Sequence, residues 1–585
     1  MKTLKLFNAV LSKGNGDTFI SEQGFIIESG AVWAKKEIIN YFKSEKLSGN
    51  DLNKTFHKSW EKIRTTSRYE LYLEQIRHYI STYGTNFTAE IYIPNEILDL
   101  PEVNLKYKVI KAYTKDQMID KCLSMLKSGI ALKEETVDDL ISLLVDELDY
   151  EFTGNENIKN KEAIVKIADE YGIYPKDSTE FFRYIIYKTT NETLLIKNPK
   201  LIELIKNSSF NPTTQFKKFG FEKLAEIFNR FKPLFLAYKK RCPKTINKIS
   251  RLSKTNHKPL VTNPLNEVTH RLLTDKDQHW LNNATIYALF KALNACHSRI
   301  QGQDVFSYRI RNGKSWTTEN NKQNIVVLEN YEIILKFMKN KFNMEGINIY
   351  LPEGVEYALP TSEKMFVGNI PTGTKFTGDK MAVGIYWEDA WGARDLDLSG
   401  LNIGGKIGWN SSFSQNGNLM FSGDITSAPN GAVEYLYANK GLNAPTLVQN
   451  NVFSGREDCE YKIVIGLGDD ITRNYMMNPD NVFAEIKCQS VQQQTILGMF
   501  IPNEKSQSFV LLNFGAGQVR VSDNSKNSDN ATKALFQQWR QPLNFSNIVE
   551  ELGAKIVDKI EDSNVNLSLD NLERDTFIKL FTIEK

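Results

Sequence analysis

The sequence predicts a multidomain α + β protein: an irregular all-α helical region followed by an antiparallel β-sandwich. Three observations carry this expectation. The chain has 585 residues, more than one hydrophobic core usually serves. Charge and glycine are unevenly spread. The net charge is +3, yet residues 346–585 hold 20 Lys+Arg against 29 Asp+Glu, together with 22 of the 34 glycines. The texture also changes there, from helical periodicity to short runs between Gly/Asn/Ser/Asp turns. The expected division is a mostly helical domain at 1–112, a basic helical domain at 113–345, and a sandwich with one C-terminal helix at 346–585.

Composition narrows the class. Hydrophobic content of 41% and charged content of 24% suit an ordinary globular protein. No apolar run approaches the roughly 20 residues of a membrane span. The opening "MKTLKLFNAVLSKGNGD" lacks a signal-peptide core and a small-residue cleavage site. Cys122, Cys242, Cys296, Cys459 and Cys488 are scattered, with no CxxC. That pattern predicts reduced thiols in a cytoplasmic protein with no membrane partner.

In the basic part, "SRYELYLEQIRHYISTYG" opens with Ser67 and Glu70 in capping-box spacing and closes at Gly84. "TKDQMIDKCLSMLKSG" repeats this with Thr114, Gln117 and Gly129, and "TVDDLISLLVDEL" follows as the second arm of a helical hairpin. Further helices are expected over 161–171, 178–188, 221–230, 284–296 and 328–341. "TNFTAEIYIPNEIL" and "YKVIKAY" are the strand-like runs here. There is no strict repeat period.

Residues 213–258 hold 13 basic and 2 acidic residues. Lys239, Lys240, Arg241, Lys244, Lys248, Arg251, Lys254 and Lys258 recur at spacings that place many of them on one side of a helical segment. Phe216, Phe219, Phe221, Phe228, Phe231, Phe235 and Tyr238 are interleaved. Two readings fit. The run is a solvated basic face over an aromatic core stripe, or it is a surface for RNA or an acidic partner, with cations on phosphates and aromatics stacking bases. The histidines carry less. His57 with Trp60, His78 beside Tyr79, and His297 beside Cys296 read as core or groove residues. No nucleophile–base set or HExxH is present, so a non-enzyme is expected.

After residue 346, "KMAVGIYW", "DLDLSGLNI", "AVEYLYA", "YKIVIGLG", "VFAEIKCQ", "TILGMFIP" and "SFVLLNF" read as strands, and "NIVEELGAKIVDKI" as one helix. "GLNIGGK" imitates a phosphate-cradling loop through Gly400, Gly405 and Lys406. Ile407 stands where Ser or Thr would hold magnesium, and a Gly-Gly hairpin turn explains the run better. In "RDLDLSG", Asp395 and Asp397 share a strand face about 7 Å apart, and Leu396 and Leu398 share the other. Like charges placed so repel, and Asp is a poor strand former.

The ordered set "RDLDLSG…KIGW…MFSGDITSAPNGAVE" resembles the core of TerD-type domains, calcium-binding β-sandwiches of tellurite-resistance and stress systems. The resemblance covers roughly residues 380–520. It matches Asp395 and Asp397 to the family's D-x-D, Ser399 to its small residue, Gly423 and Asp424 to its GD, and Glu434 to its later acid. It implies a TerD-like sandwich with Ca2+ as cofactor and Asp395, Asp397, Asp424 and Glu434 as metal residues. Calcium takes six to eight oxygens, so carboxylates converging from several loops suit it, and the cation would relieve the repulsion. The loop "ITSAPNGAV" departs from the family's acid-rich loop. The alternative reading leaves Asp395 and Asp397 exposed, or makes them a turn scaffold that bonds loop amides. "LPEGVEYALPTSEKMFVGNIPTGTKF" and "TFHKSWEKIRTTSRYELYLEQIRHYISTYG" resemble uncharacterised bacterial and phage proteins associated with MoxR-type ATPases and von Willebrand A-domain proteins. The resulting expectation is a scaffold protein of a stress-response or phage system with such a partner. The alternatives are an RNA binder, similar in spirit to the helical module of Ro-type proteins, and an enzyme with a site between the parts.

Overall fold

The computed structural model describes residues 2–14, 17–20, 25–43, 47–55, 67, 69–70, 73, 108–257, 268–303, 305–309, 315–319, 326–409, 411, 413–456, 458–468, 477–490, 492–515 and 535–581. The molecule is mixed α and β, with helices concentrated before residue 345 and antiparallel sheets after it.

The helical expectations hold where the chain is described. Helix Lys115–Lys127 begins with the anticipated capping box: Gln117 N–H donates to Thr114 Oγ1 at 3.2 Å, and Thr114 N–H to Gln117 Oε1 at 2.9 Å. Helix Glu134–Ser142 follows and runs on into a π-type turn, Leu143–Glu147. Helices Lys161–Tyr171, Ser178–Thr190, Phe221–Phe228, Ile286–Ile300 and Val326–Lys341 lie where periodicity placed them. Ser67 and Glu70 exchange both capping bonds. His57, His78 and "TNFTAEIYIPNEIL" lie outside the described residues.

Residues 165–249 build their own core. Phe182 stacks on Phe235 at 3.9 Å, and Phe181 on Phe219 at 4.0 Å. This is a helical lobe. The rest of the helical region joins the main body, and the described residues of 1–112 combine short helices with strands. Ala9–Leu11, Lys108–Tyr113, Phe25–Ile27 and Phe19–Ile20 pair, in that order, into a four-stranded sheet. Lys108–Tyr113 is the anticipated "YKVIKAY" strand. The other three strands are two or three residues long, too short to show alternation.

All seven anticipated C-terminal strands are present. The larger antiparallel sheet runs Gly405–Gly408, Ala393–Asn402, Thr446–Gly455, Gln494–Pro502, Gln507–Gly515, Lys375–Gly378, Val355–Glu356. The other runs Ser414–Gln415, Leu419–Phe421, Ala432–Asn439, Lys380–Trp387, Glu460–Leu467, Val482–Gln489. Leu396, Leu398 and Phe509 of the first share one core with Met381, Val383, Ile385 and Leu436 of the second. The far face of the second sheet carries Tyr386, Tyr435 and Tyr437, covered by Leu47, Leu52 and Met477. Asn53 and Met477 exchange two bonds there, and Tyr435 Oη donates to the Leu52 carbonyl at 2.7 Å.

The expected single helix near the end is a correction. Phe545–Glu551 is helical, but Gly553 takes φ +103° and the chain leaves as strand Lys555–Val557. That strand pairs in parallel with Asn348–Tyr350. The alternation in "AKIV" wins once the glycine stops the helix. The division at 345 is also not a break in the core. One apolar cluster runs from Leu6 and Phe7 through Leu289 and Phe290 to Ile385, Phe545 and Phe577.

Candidate metal centre

The aspartate-bearing strand lies between Gly405–Gly408 and Thr446–Gly455. The Gly-Gly turn closes its hairpin, with Asn402 paired to Gly405 and Gly405 at φ +117°. The phosphate-loop imitation is therefore a β-turn. The pairing with Thr446–Gly455 is irregular at Asp395. Ala393 faces Gly455, Asp395 faces Ser454, and Leu396 faces Val452. Arg394 on one strand and Phe453 on the other are thus left over. Such bulges re-aim side chains and are common beside functional sites. Leu396 and Leu398 enter the core as alternation predicts.

Asp424 arrives from the loop between strands Leu419–Phe421 and Ala432–Asn439. Gly423 before it has φ +113°, a backbone that glycine takes without strain. One carboxylate oxygen from each of Asp395, Asp397 and Asp424 lies within 4.8 Å of the other two. This is the group of three such ligands among the described residues. Asp395 is 7% exposed and Asp397 3%. Asn451 Nδ2 donates to Asp397 Oδ2 at 3.0 Å, whereas Asp395 Oδ1 and Asp424 Oδ1 are buried without a hydrogen-bond partner.

Glu434 is placed differently. It is fully buried, and both its oxygens are used. Leu398 N–H donates to Oε2 at 2.9 Å and Ile425 N–H to Oε1 at 2.9 Å. The two donors directly follow Asp397 and Asp424. Glu434 therefore ties the aspartate strand to the Asp424 loop, and it does not converge with the three aspartates. Asp389 holds the same loop further on, accepting from Ala428 N–H at 2.8 Å.

The electrostatics follow from burial. Asp395 is pushed up to about 7 by burial and then by the charges of Asp397 and Asp424. Asp397 is pushed up to about 6, chiefly by burial; the Asn451 hydrogen bond and Lys406 pull it down, and Asp424 pushes it up. Burial raises Asp424, and it raises Glu434 far above the usual carboxylate range against the pull of its two backbone bonds. Three hard oxygen donors, two with orphaned oxygens, are a donor set for calcium or magnesium. Soft metals prefer sulfur and imidazole.

Sequence reasoning named Asp395, Asp397, Asp424 and Glu434, and missed Asn451 and Asp389. The signal for the first was the polar pair Asn450–Asn451 inside the apolar run "LVQNNVF".

The basic residues lie elsewhere, on the helical lobe. Lys239 and Lys240 end a short turn, Tyr238–Lys240. Lys244, Lys248 and Arg251 lie on helix Pro243–Leu252, and Lys254 follows it. All six are exposed. Arg241 is half-buried, and its Nε donates to the Ser208 carbonyl at 2.8 Å. Lys258 lies outside the described residues. Most of the aromatics do not form a platform for bases: Phe216, Phe228, Phe231, Phe235 and Tyr238 are core, while Phe219 and Phe221 are half-buried at its edge, Phe221 beneath Lys248. Cys296 is buried, its thiol pushed up to about 11 by burial. His297 Nε2 donates to the Gln541 carbonyl at 3.0 Å. The two neighbours do not form a nucleophile–base pair. A cleft of about 470 Å³ in the helical lobe is lined by Lys161, Asp177, Glu180, Arg183, Arg230 and Phe231, and its Glu180 is paired with Arg183 at 2.7 Å.

No protein-family model, curated protein or solved structure matches the chain. Among the described residues, no helix is long and apolar enough to cross a membrane.

Proposed function

We propose that this is a non-enzymatic binding protein whose C-terminal sheets form a TerD-like calcium-binding module of a stress-response system. Asp395, Asp397 and Asp424 are the protein ligands, and Glu434, Asn451 and Asp389 are positioning residues. One observation carries this reading: three carboxylates from two elements converge on one point, where orphaned oxygens meet and, among the described residues, no side-chain cation bonds them. A divalent cation at that point offsets the repulsion and satisfies Asp395 Oδ1 and Asp424 Oδ1 together. It also clamps the Asp424 loop to the edge of the larger sheet. Calcium binding then becomes a change in the order of one loop, the kind of change a partner can read. Three aspartates supply at most six oxygens, so carbonyls or water complete the shell.

The test is thermal unfolding of the full chain in EGTA, in calcium and in magnesium, beside the Asp395→Asn/Asp397→Asn variant. At a concentration 100 times Kd, a bound ion adds about 2.7 kcal/mol. A calcium-dependent rise in melting temperature, absent from the variant, is expected. Equal melting in all three conditions for both proteins would sink the metal reading.

A further inference from the structure

A second feature, independent of the aspartate cluster, is the outer face of the helical lobe. Helix Pro243–Leu252 is divided by burial. Thr245, Ile246 and Ile249 enter the lobe core, while Lys244, Asn247, Lys248 and Arg251 point to solvent. Lys244, Lys248 and Arg251 stand at i, i+4 and i+7, which is one helical stripe. Lys254 extends it, and Lys239 and Lys240 precede it across the turn. Among the described residues, none of these six has a carboxylate partner; the one contact of this kind is Lys248 Nζ over the Phe221 ring, 4.7 Å from its centroid. This row of cations is therefore not neutralised by the protein.

We propose that the stripe Lys244–Lys248–Arg251–Lys254 is a contact surface for the phosphate backbone of nucleic acid, engaged without reading bases. Two findings choose this partner. Beyond Pro243 at its start, the helix shows no exposed apolar side chain, so it lacks the large apolar or aromatic anchor on which protein interfaces depend; a phosphate backbone needs none. Five of the seven interleaved aromatics are packed into the lobe core, and the two half-buried ones are already covered, Phe219 by Phe181 and Lys223, and Phe221 by Lys248, so base stacking is not what this face offers. What remains is a rigid row of point charges about 4.5–6 Å apart along the helix axis, at 1.5 Å per residue. Phosphates meet such a row in any sequence.

The experiment titrates the full chain into fluorescent oligonucleotides of random sequence: RNA duplex, DNA duplex and single strands, between 50 and 200 mM salt. Four phosphate contacts give a log–log salt slope of about −3.6 on duplex DNA, roughly a hundredfold loss of affinity across that range. The Lys244→Glu/Lys248→Glu/Arg251→Glu variant is expected to bind at least about tenfold more weakly. Its melting temperature should change little, because the three side chains are exposed and only Lys248 touches a half-buried ring, that of Phe221. Lys505→Glu, on the exposed turn between strands Gln494–Pro502 and Gln507–Gly515, is expected to bind as the wild type does. Any nucleic-acid arm behaving this way supports the proposal and names the source of the phosphates. Four results overturn it: no binding at 50 mM salt, wild-type binding by the folded triple variant, a preference above tenfold for one base composition, or polyglutamate binding as tightly as nucleic acid.

Discussion

Glu434 contributes geometry where a ligand was expected. Its carboxylate accepts from Leu398 and Ile425, so it sets the distance between Asp397 and Asp424. Glu434→Gln keeps the shape but turns an amide donor toward one of two buried backbone donors. A loss of about 2–4 kcal/mol in denaturant unfolding is expected, together with roughly 10–100-fold weaker calcium binding by titration calorimetry. The aspartates make a second expectation, on pH. Asp395 at about 7 and Asp397 at about 6 lie above the unfolded carboxylate value of about 3.9. Between roughly pH 4 and 7 the metal-free folded chain therefore holds protons that the unfolded chain has released, and stability falls as pH rises through that window. In EGTA, melting temperature should drop from pH 5 to pH 7.5 more steeply than in Asp395→Asn/Asp397→Asn, and saturating calcium should remove the difference. Parallel pH profiles in EGTA would mean that the carboxylates ionise at no cost. The D-x-D spacing was legible because strand alternation alone joins those two residues. The part played by Glu434 was not, because it depends on which backbone amides a neighbouring sheet brings to it.

Elements were legible where one local signal dominated. The Thr114–Gln117 capping box, the helix over 161–171 and the strand "KMAVGIYW" each lie where sequence placed them. The run 547–560 failed because it carries two periods joined by a glycine. At φ +103° an added Cβ at Gly553 would also meet Glu345 Cγ at 3.1 Å. Gly553→Ala is therefore expected to cost at least about 1 kcal/mol, seen as a lower urea midpoint with unchanged m. An unchanged midpoint would mean that the turn relaxes freely. The seven aromatics of 213–258 show the opposite limit. Composition could not say whether they faced the cations or the core. Packing decided it: Phe182 and Phe235 stack within the lobe, and an exposed row would have forfeited about 1.5–3 kcal/mol of burial per ring.

At the scale of the whole molecule, early and late residues of the chain meet. Arg574 N–H donates to the Leu6 carbonyl at 3.0 Å, and Val109 N–H to Asn571 Oδ1 at 3.1 Å. Lys121 lies 2.8 Å from Asp575 and 3.1 Å from Glu573, and Lys111 3.3 Å from Glu573. Burial works against the Lys121 charge, but the two carboxylates prevail and hold it above the usual lysine range. Lys121→Met strands two buried carboxylates with Lys111 alone to face them. A cost of about 3–5 kcal/mol is expected in chemical unfolding, and a loss below 1 kcal/mol would show that water already reaches the pair. No composition split or linker revealed this closure, because it joins segments more than 400 residues apart.

That closure bears on how the protein is made. A ribosome adds about 5–20 residues per second. The helix Lys2–Phe7 therefore waits on the order of half a minute to two minutes before Arg574 exists to receive it. Through that interval Leu6 and Phe7 have no permanent neighbours from the far end. The nascent chain must be shielded, or must park these side chains temporarily, until residue 574 has been made.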